Sequence, residues 1–200
     1  MKLLGYELIL SPGIRKTVMT DFNTIIYRRR SIRKFKKQAV ESVKIKQLVK
    51  AGLLAPSGMR SYPCEFVIID NPETLLALSK AKAHGAALLA DAPLAIAVVA
   101  DTTKYDVWVE DASIASTFIM LEAENLGLGC CWVQMRLRGT TNGKSGTGNL
   151  REILNLQARH EILAVLAIGY KDEAKRARTD TELKYEKIHH NQLHNKPENL

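Results

Sequence analysis

The sequence is poor in cysteine and lacks both long apolar runs and a dinucleotide fingerprint. Its three cysteines are Cys64, Cys130 and Cys131. An odd number, with two adjacent, excludes a disulfide framework and any CxxC or zinc-knuckle spacing. The pattern suits a reducing compartment, and a cytoplasmic location is expected. No apolar run approaches the roughly 18 residues that a helix needs to span a bilayer. No GxGxxG motif of a Rossmann fold is present. An export signal is not expected either. The apolar stretch Leu3–Leu10 is broken by Glu7, and Ser11-Pro12-Gly13 is a turn rather than a cleavage site.

What remains is an ordinary globular composition with a basic excess. The 200 residues are 46% hydrophobic and 25% charged, which suits one domain with its own core. The formal charge of +8 calls for either a solubility explanation or an anionic partner: nucleic acid, a membrane surface or a phosphate-bearing ligand. Residues 1–18 are set apart as an N-terminal extension of unassigned role, and residues 19–200 as a single domain.

Helices and strands alternate along that domain. Asp21 is placed to cap a short helix ending near Arg29. Ser42 is placed to cap a second, with Ile45, Leu48, Val49 and Gly52 on one face; it must stop before Pro56. Phe66–Ile69 reads as a strand, 73–89 as a helix weakened at Gly85, and Leu94–Ala100 as a strand covered on both faces. The segment 106–126 is apolar most of the way round and reads as a buried helix ended by Gly127 and Gly129. Cys130–Met135 is a third strand, 139–149 a glycine-rich loop, 150–156 a short helix and Ile162–Tyr170 a fourth strand. The tail 171–200 has no core pattern of its own, and its Tyr185, Ile188 and Leu193 suit an embrace of a second subunit.

Four segments can carry chemistry. Arg28-Arg29-Arg30-Ser31-Ile32-Arg33-Lys34-Phe35 offers guanidinium forks and a hydroxyl to a phosphate. The competing reading is a solvated face or a nucleic-acid patch. Ile32 and Phe35 weigh against it, because an arm on nucleic acid has no reason to bury every third residue. Ala55-Pro56-Ser57-Gly58-Met59-Arg60-Ser61-Tyr62-Pro63 is a rigid loop that presents Ser57 and backbone groups, or simply joins a helix to a strand. Gly127-Leu128-Gly129-Cys130-Cys131-Trp132-Val133-Gln134 lets backbone approach a flat ligand, or is a helix cap followed by a core strand. Gly169-Tyr170 is followed by Lys175, Arg176 and Arg178, a second basic cluster. Two other patterns are set aside. Gly143-Lys144-Ser145 lacks the first glycine of a P-loop, because Arg138 stands there. His190 and His194 share a helical spacing but no third ligand, so no metal is expected.

In order and spacing, RRSIRKF, APSGMRSYP, DASIAS with LGLGCCW, and IGY followed by KRAR and KIHHN resemble the FMN-dependent nitroreductase family. The resemblance spans about 19–191. It implies an α+β fold, with a mixed central sheet flanked by helices and a C-terminal strand exchanged across a homodimer. The tail 171–200 would then embrace the partner, and two FMN sites would lie at the interface. It also implies residue roles. Arg29 and Ser31, with Arg30 close by, would hold the phosphate and ribityl end, and Arg33 the N1/O2 edge of the flavin. Arg176 and Arg178 would return to the same phosphate. Pro56, Ser57, Gly58 and the stretch to Arg60 would reach the flavin of the other subunit. Trp132, Val133 and Gln134 would line the ring, and Gly169 would sit on the ribityl side.

The implied activity is hydride transfer from NAD(P)H to flavin and then to a small-molecule acceptor such as a nitroaromatic or a quinone, by a ping-pong mechanism. No catalytic side chain is implied, since the cofactor carries the chemistry. Many members have Asn at position 60, Gln at 62 and Trp or a similar residue at 64, where this chain has Arg60, Tyr62 and Cys64. Those changes border the substrate side. They leave open a different chemistry on the same fold, dehalogenation or flavin modification. The loop 139–149 is expected to vary and to act as a flap. A basic nucleic-acid module is the alternative from another class.

Overall fold

A computed structural model describes residues 21–139 and 146–197; the extension 1–18 and most of the expected flap lie outside them. Helix α1 (Phe22–Arg28) is capped by the Asp21 carboxylate, which accepts from the Thr24 N–H at 3.3 Å. Helix α2 (Ser42–Leu53) takes Glu41 as its N-cap, with no side-chain bond, so Ser42 opens the helix rather than capping it. Strand β1 (Cys64–Ile69) follows, then α3 (Pro72–Ser79), whose Asn71 cap and Pro72 are a standard helix start.

Helix α3 is shorter than the pattern predicts. Beyond Ser79 the Ala83 N–H turns outward to the Gly139 carbonyl at 3.2 Å, and Gly85 adopts φ +77°. A helical ladder cannot pass through a left-handed residue. The expected last turns survive only as a short 3-10 segment at Ala87–Ala90.

Strand β2 (Leu94–Asp101) is buried at every position, as its unbroken apolar run predicts. Helix α4 (Trp108–Asn125) leads to β3 (Leu128–Gln134), and α5 (Gly146–Leu154) leads to β4 (His160–Tyr170). The helix α5 starts four residues earlier than expected and takes in two loop glycines, because Thr147 and Leu150 bury its inner side. Gly129 belongs to β3 rather than to a helix end. A Cβ there would stand 2.7 Å from Ile32.

The sheet has the order β1-β2-β4-β3 and pairs antiparallel throughout. Among the described residues, a parallel pairing occurs only at the isolated bridge between Ser31 and Cys130. One core layer, with Ile32, Phe35, Leu78, Leu89 and Val133, covers one face. The other, with Leu48, Ile96, Ile119 and Leu166, lies under α2 and α4.

The expectation that α4 is buried all round holds on one side only. Ala112, Ala115, Ile119 and Ala123 face the sheet, whereas Ile114 and Phe118 stand 37% and 38% exposed. Phe22, Ala51, Phe118 and Leu121 line an open groove between α1, α2 and α4. A helix apolar on both sides is sequence logic for a layer that this chain alone does not supply. The tail after β4 forms two short 3-10 turns, Asp180–Glu182 and Tyr185–Lys187, and no strand among the described residues.

Gly169 is a close-packing position in β4. A Cβ there would meet the Pro93 ring at 2.7 Å and Phe35 at 3.1 Å. Replacement Gly169→Ala is expected to destabilise the fold by about 1–3 kcal/mol, read as a lower denaturation midpoint with an unchanged slope.

Candidate functional site

The basic run from Arg28 to Lys37 is built into the fold. Ile32 and Phe35 are 2% and 5% exposed and pin it to the sheet. Backbone bonds complete the join: the Ile32 N–H donates to the Cys130 carbonyl at 3.1 Å and the Lys36 N–H to the Tyr170 carbonyl at 2.9 Å. Arg33, Lys82 and Arg29 then lie near Cys131, whose thiol is pushed up by burial and only partly drawn back by those three cations. Neither guanidinium has an ion-pair partner among the described residues.

The second basic cluster meets the first. The Asp172 N–H donates to the Lys34 carbonyl at 3.0 Å, and the Glu173 carboxylate accepts from the N–H groups of Arg33 at 2.5 Å and Lys34 at 3.3 Å. Those donors, with Lys175 at 3.0 Å, hold the Glu173 carboxyl below the usual range. Arg30 Nη1 donates to the Arg176 carbonyl at 2.8 Å, and the Arg178 N–H to the Tyr27 carbonyl at 2.9 Å. The Arg176 guanidinium itself grips Glu182 through two bonds of 2.9 Å. The two runs, about 140 residues apart in sequence, therefore share one edge of the sheet.

That edge belongs to β3 and is open. Because the Ile32 N–H reaches the Cys130 carbonyl, Cys130 turns its backbone groups away from β4. The two-residue alternation puts those of Trp132 and Gln134 on the same outer side. The Gln134 carbonyl is taken by Lys82 Nζ at 2.8 Å. Val133 is 1% exposed, so it lines nothing with its side chain. The Trp132 and Gln134 side chains bond each other at 2.8 Å, on the sheet face opposite Cys131.

Lys82 was not legible as a site residue. It sits where the pattern predicts helix interior, and only the early end of α3 frees it to reach β3. Burial, then the nearby Arg138 cation, lower its pKa. Cys64 is held near pKa 11 by burial, and burial also pushes the Cys130 thiol up, so none of the three cysteines is a thiolate at neutral pH.

The loop 56–62 is anchored elsewhere. Ser57 Oγ donates to the buried Asp111 carboxylate at 2.7 Å, the Gly58 N–H donates to it at 3.0 Å, and the Tyr62 N–H donates to Ser57 Oγ at 3.0 Å. Met59, Arg60 and Tyr62 hold φ of 51°, 57° and 43°, and their side chains point into solvent. A loop that keeps three L-residues left-handed is held in that shape by its anchors. It leads into β1, the opposite edge from β3. Three strand spacings, about 14 Å, separate the two edges. Within one chain, Arg29, Arg33 and Lys82 come together at the β3 edge, whereas the side-chain bonds of the loop among the described residues run to Asp111 and within the loop itself.

A family model described as Nitroreductase family matches residues 26–88 and 79–170, which include both edges. This chain belongs to the nitroreductase family. Among its relatives, a protein of Archaeoglobus fulgidus provisionally named NADH dehydrogenase/NAD(P)H nitroreductase is 32% identical over 86% of this chain and 98% of its own length. The FMN-dependent nitroreductase of Clostridium difficile superposes with a TM-score of 0.82 at 42% identity, over 84% of this chain and 98% of that one. A protein of Desulfovibrio desulfuricans provisionally named a nitroreductase, solved in complex with FMN, gives 0.66 at 25% identity over 82% and 94% of the two chains.

For this nitroreductase-family chain, no helix among the described residues is long and apolar enough to cross a membrane, and no described group of three or more His, Cys, Asp or Glu could hold a metal ion. Asp111→Ala removes the anchor of the loop 57–62. It is expected to cost about 1–3 kcal/mol, because the Ser57 hydroxyl and the Gly58 N–H lose a charged acceptor. Amide exchange should accelerate from 57 to 62 before it does elsewhere.

Proposed function

We propose that this protein is an FMN-dependent NAD(P)H oxidoreductase that works as a homodimer. The observation that carries the reading is the convergence of Arg29 and Arg33, without carboxylate partners, on the open edge of β3. The donor set fits FMN. A phosphate of nearly two negative charges suits two guanidinium groups that have no ion-pair partner among the described residues, with Ser31 between them; this reading moves Arg33 from the N1/O2 edge, where the resemblance put it, to the phosphate. The outward backbone groups of Trp132 and Gln134 offer donors to the acceptor atoms of a flat heterocycle. Lys82, farther along the same edge, places a positive charge where the anionic form of a reduced ring is stabilised.

The chemistry FMN supplies when bound is acceptance of hydride from NAD(P)H and delivery of electrons to a second acceptor, such as a nitroaromatic or a quinone, in alternation at one pocket. The chain's own residues bind, orient and screen. Arg29 and Arg33 fix one end, β3 sets the plane, and the buried Val133 and Cys131 keep water from behind it. The loop 56–60 completes the pocket from the other subunit. The exposed Ile114 and Phe118 supply the surface on which the subunits meet. The tail beyond Leu183, with Tyr185 and Leu193 exposed, lies over that partner.

The purified protein is expected to be yellow, to release FMN on denaturation and to oxidise NAD(P)H with nitro or quinone acceptors. Arg29→Ala with Arg33→Ala should weaken FMN binding by about 100-fold or more, since each charge-assisted contact is worth about 1.5–3 kcal/mol. Titration of the stripped protein with FMN measures it. An unchanged affinity would contradict the phosphate assignment.

A further inference from the structure

Helix α4 carries a buried carboxylate at each end. Asp111, in its first turn, holds the loop 57–62. Glu124, in its last turn, has a side chain only 5% exposed. The C-terminal end of a helix is its negative pole, so a buried carboxylate there is unfavourable unless cations surround it. Two do. Lys171 Nζ donates to Glu124 Oε2 at 2.6 Å, and Arg28 Nε lies 3.7 Å from Glu124 Oε1.

These two cations bracket the basic run. Arg28 is the last residue of α1 and directly precedes Arg29. Lys171 forms an antiparallel bridge with Phe35. On either side of that bridge the Lys36 N–H donates to the Tyr170 carbonyl at 2.9 Å and the Asp172 N–H to the Lys34 carbonyl at 3.0 Å. Arg29 and Arg33 lie between the two points. One carboxylate on α4 therefore holds the run near both of its ends.

The two holds differ in kind. Lys171 is hydrogen-bonded, whereas Arg28 is paired through charge alone, since Glu124 Oε1 accepts no hydrogen bond among the described residues. Close packing does not fix this point either. Ile25, Arg28, Glu124, Asn125 and Gly127 border a cavity of about 210 Å³. Coulomb attraction to a buried carboxylate is what draws the start of the run toward α4. We propose that Glu124 is a positioning residue of the cofactor site: it touches no cofactor, and it sets the spacing of Arg29 and Arg33 by tethering Arg28 and Lys171. This rests on the proposed FMN reading. A carboxylate that acted on the site through its charge alone would oppose a bound phosphate, and neutralising it would tighten binding. One that positions the cations has the opposite effect, and neutralising it loosens binding.

The test titrates the flavin-free full-length protein with FMN, at a temperature where thermal melts show every variant folded. Glu124→Gln removes the charge and keeps the shape. The double variant Glu124→Leu with Lys171→Met removes the pair without leaving a lone buried charge and without changing the net charge, so it decides the question if Glu124→Gln does not fold. FMN affinity should fall by about 10-fold in each, the value of one charge-assisted contact. Amide exchange at Ile32 and Lys36, whose N–H groups seat the run, should accelerate in the flavin-free variants. An affinity that is unchanged or raised in either folded variant overturns the positioning role and leaves the oxidoreductase reading standing. Unchanged exchange at Ile32 and Lys36 overturns the tether. A wild-type protein that takes up no FMN overturns both readings.

Discussion

The structure depends on one join, the seating of the basic run on the outer edge of the sheet. Ile32 and Phe35 supply its apolar half. The Ile32–Cys130 and Lys36–Tyr170 backbone bonds supply its polar half, and the Glu173 carboxylate closes it from the tail. Two apolar side chains buried here hold in place a row of cations that would otherwise repel one another. The glycines record how tight the seating is. Gly129 leaves room for Ile32, and Gly169 leaves room for Phe35 and Pro93. A cation row fixed in this way suits the proposed anion site better than a mobile basic arm on nucleic acid.

The second constraint is separation. The loop 56–62 is as firmly built as the basic edge, but its anchor is Asp111 at the start of α4, and it serves the other side of the sheet. The proposed homodimer would bring the strained loop and the unpaired charge on β3 face to face. The apolar groove between α1, α2 and α4 points the same way. A helix with core residues on one side and Ile114 and Phe118 on the other suits the proposed interface.

Much of this was legible in the sequence. The apolar run of β2 is buried at every residue, and the placing of Ile32 and Phe35 as anchors follows from their spacing among arginines. The Arg28–Lys37 and Lys175–Arg178 runs do meet, through Arg30 and the Arg176 carbonyl, but the Arg176 guanidinium expected at the phosphate is held by Glu182, a pairing that the charge pattern alone does not reveal. What was not legible came from tertiary bonds that override local pattern. The apolar residues after Ser79 continue a helical period, but the Ala83–Gly139 bond and the left-handed Gly85 stop the helix. That early stop exposes Lys82 to β3, so a missed helix end became a missed site residue. Glycines at 146 and 148 read as loop, yet buried Thr147 and Leu150 draw them into α5. Val133 was placed in the ring-lining set by its position in the motif, whereas strand alternation turns its side chain into the core.

The central claim is that the cofactor site is made by two chains. The most direct test is a double variant, Ile114→Glu with Phe118→Glu, which charges the exposed side of α4 and touches no residue of the basic edge. Analytical ultracentrifugation would report its assembly, and its visible spectrum after FMN titration would report the site. The account predicts a folded monomer with little affinity for FMN. A monomer that binds FMN as tightly as the wild-type protein would contradict it.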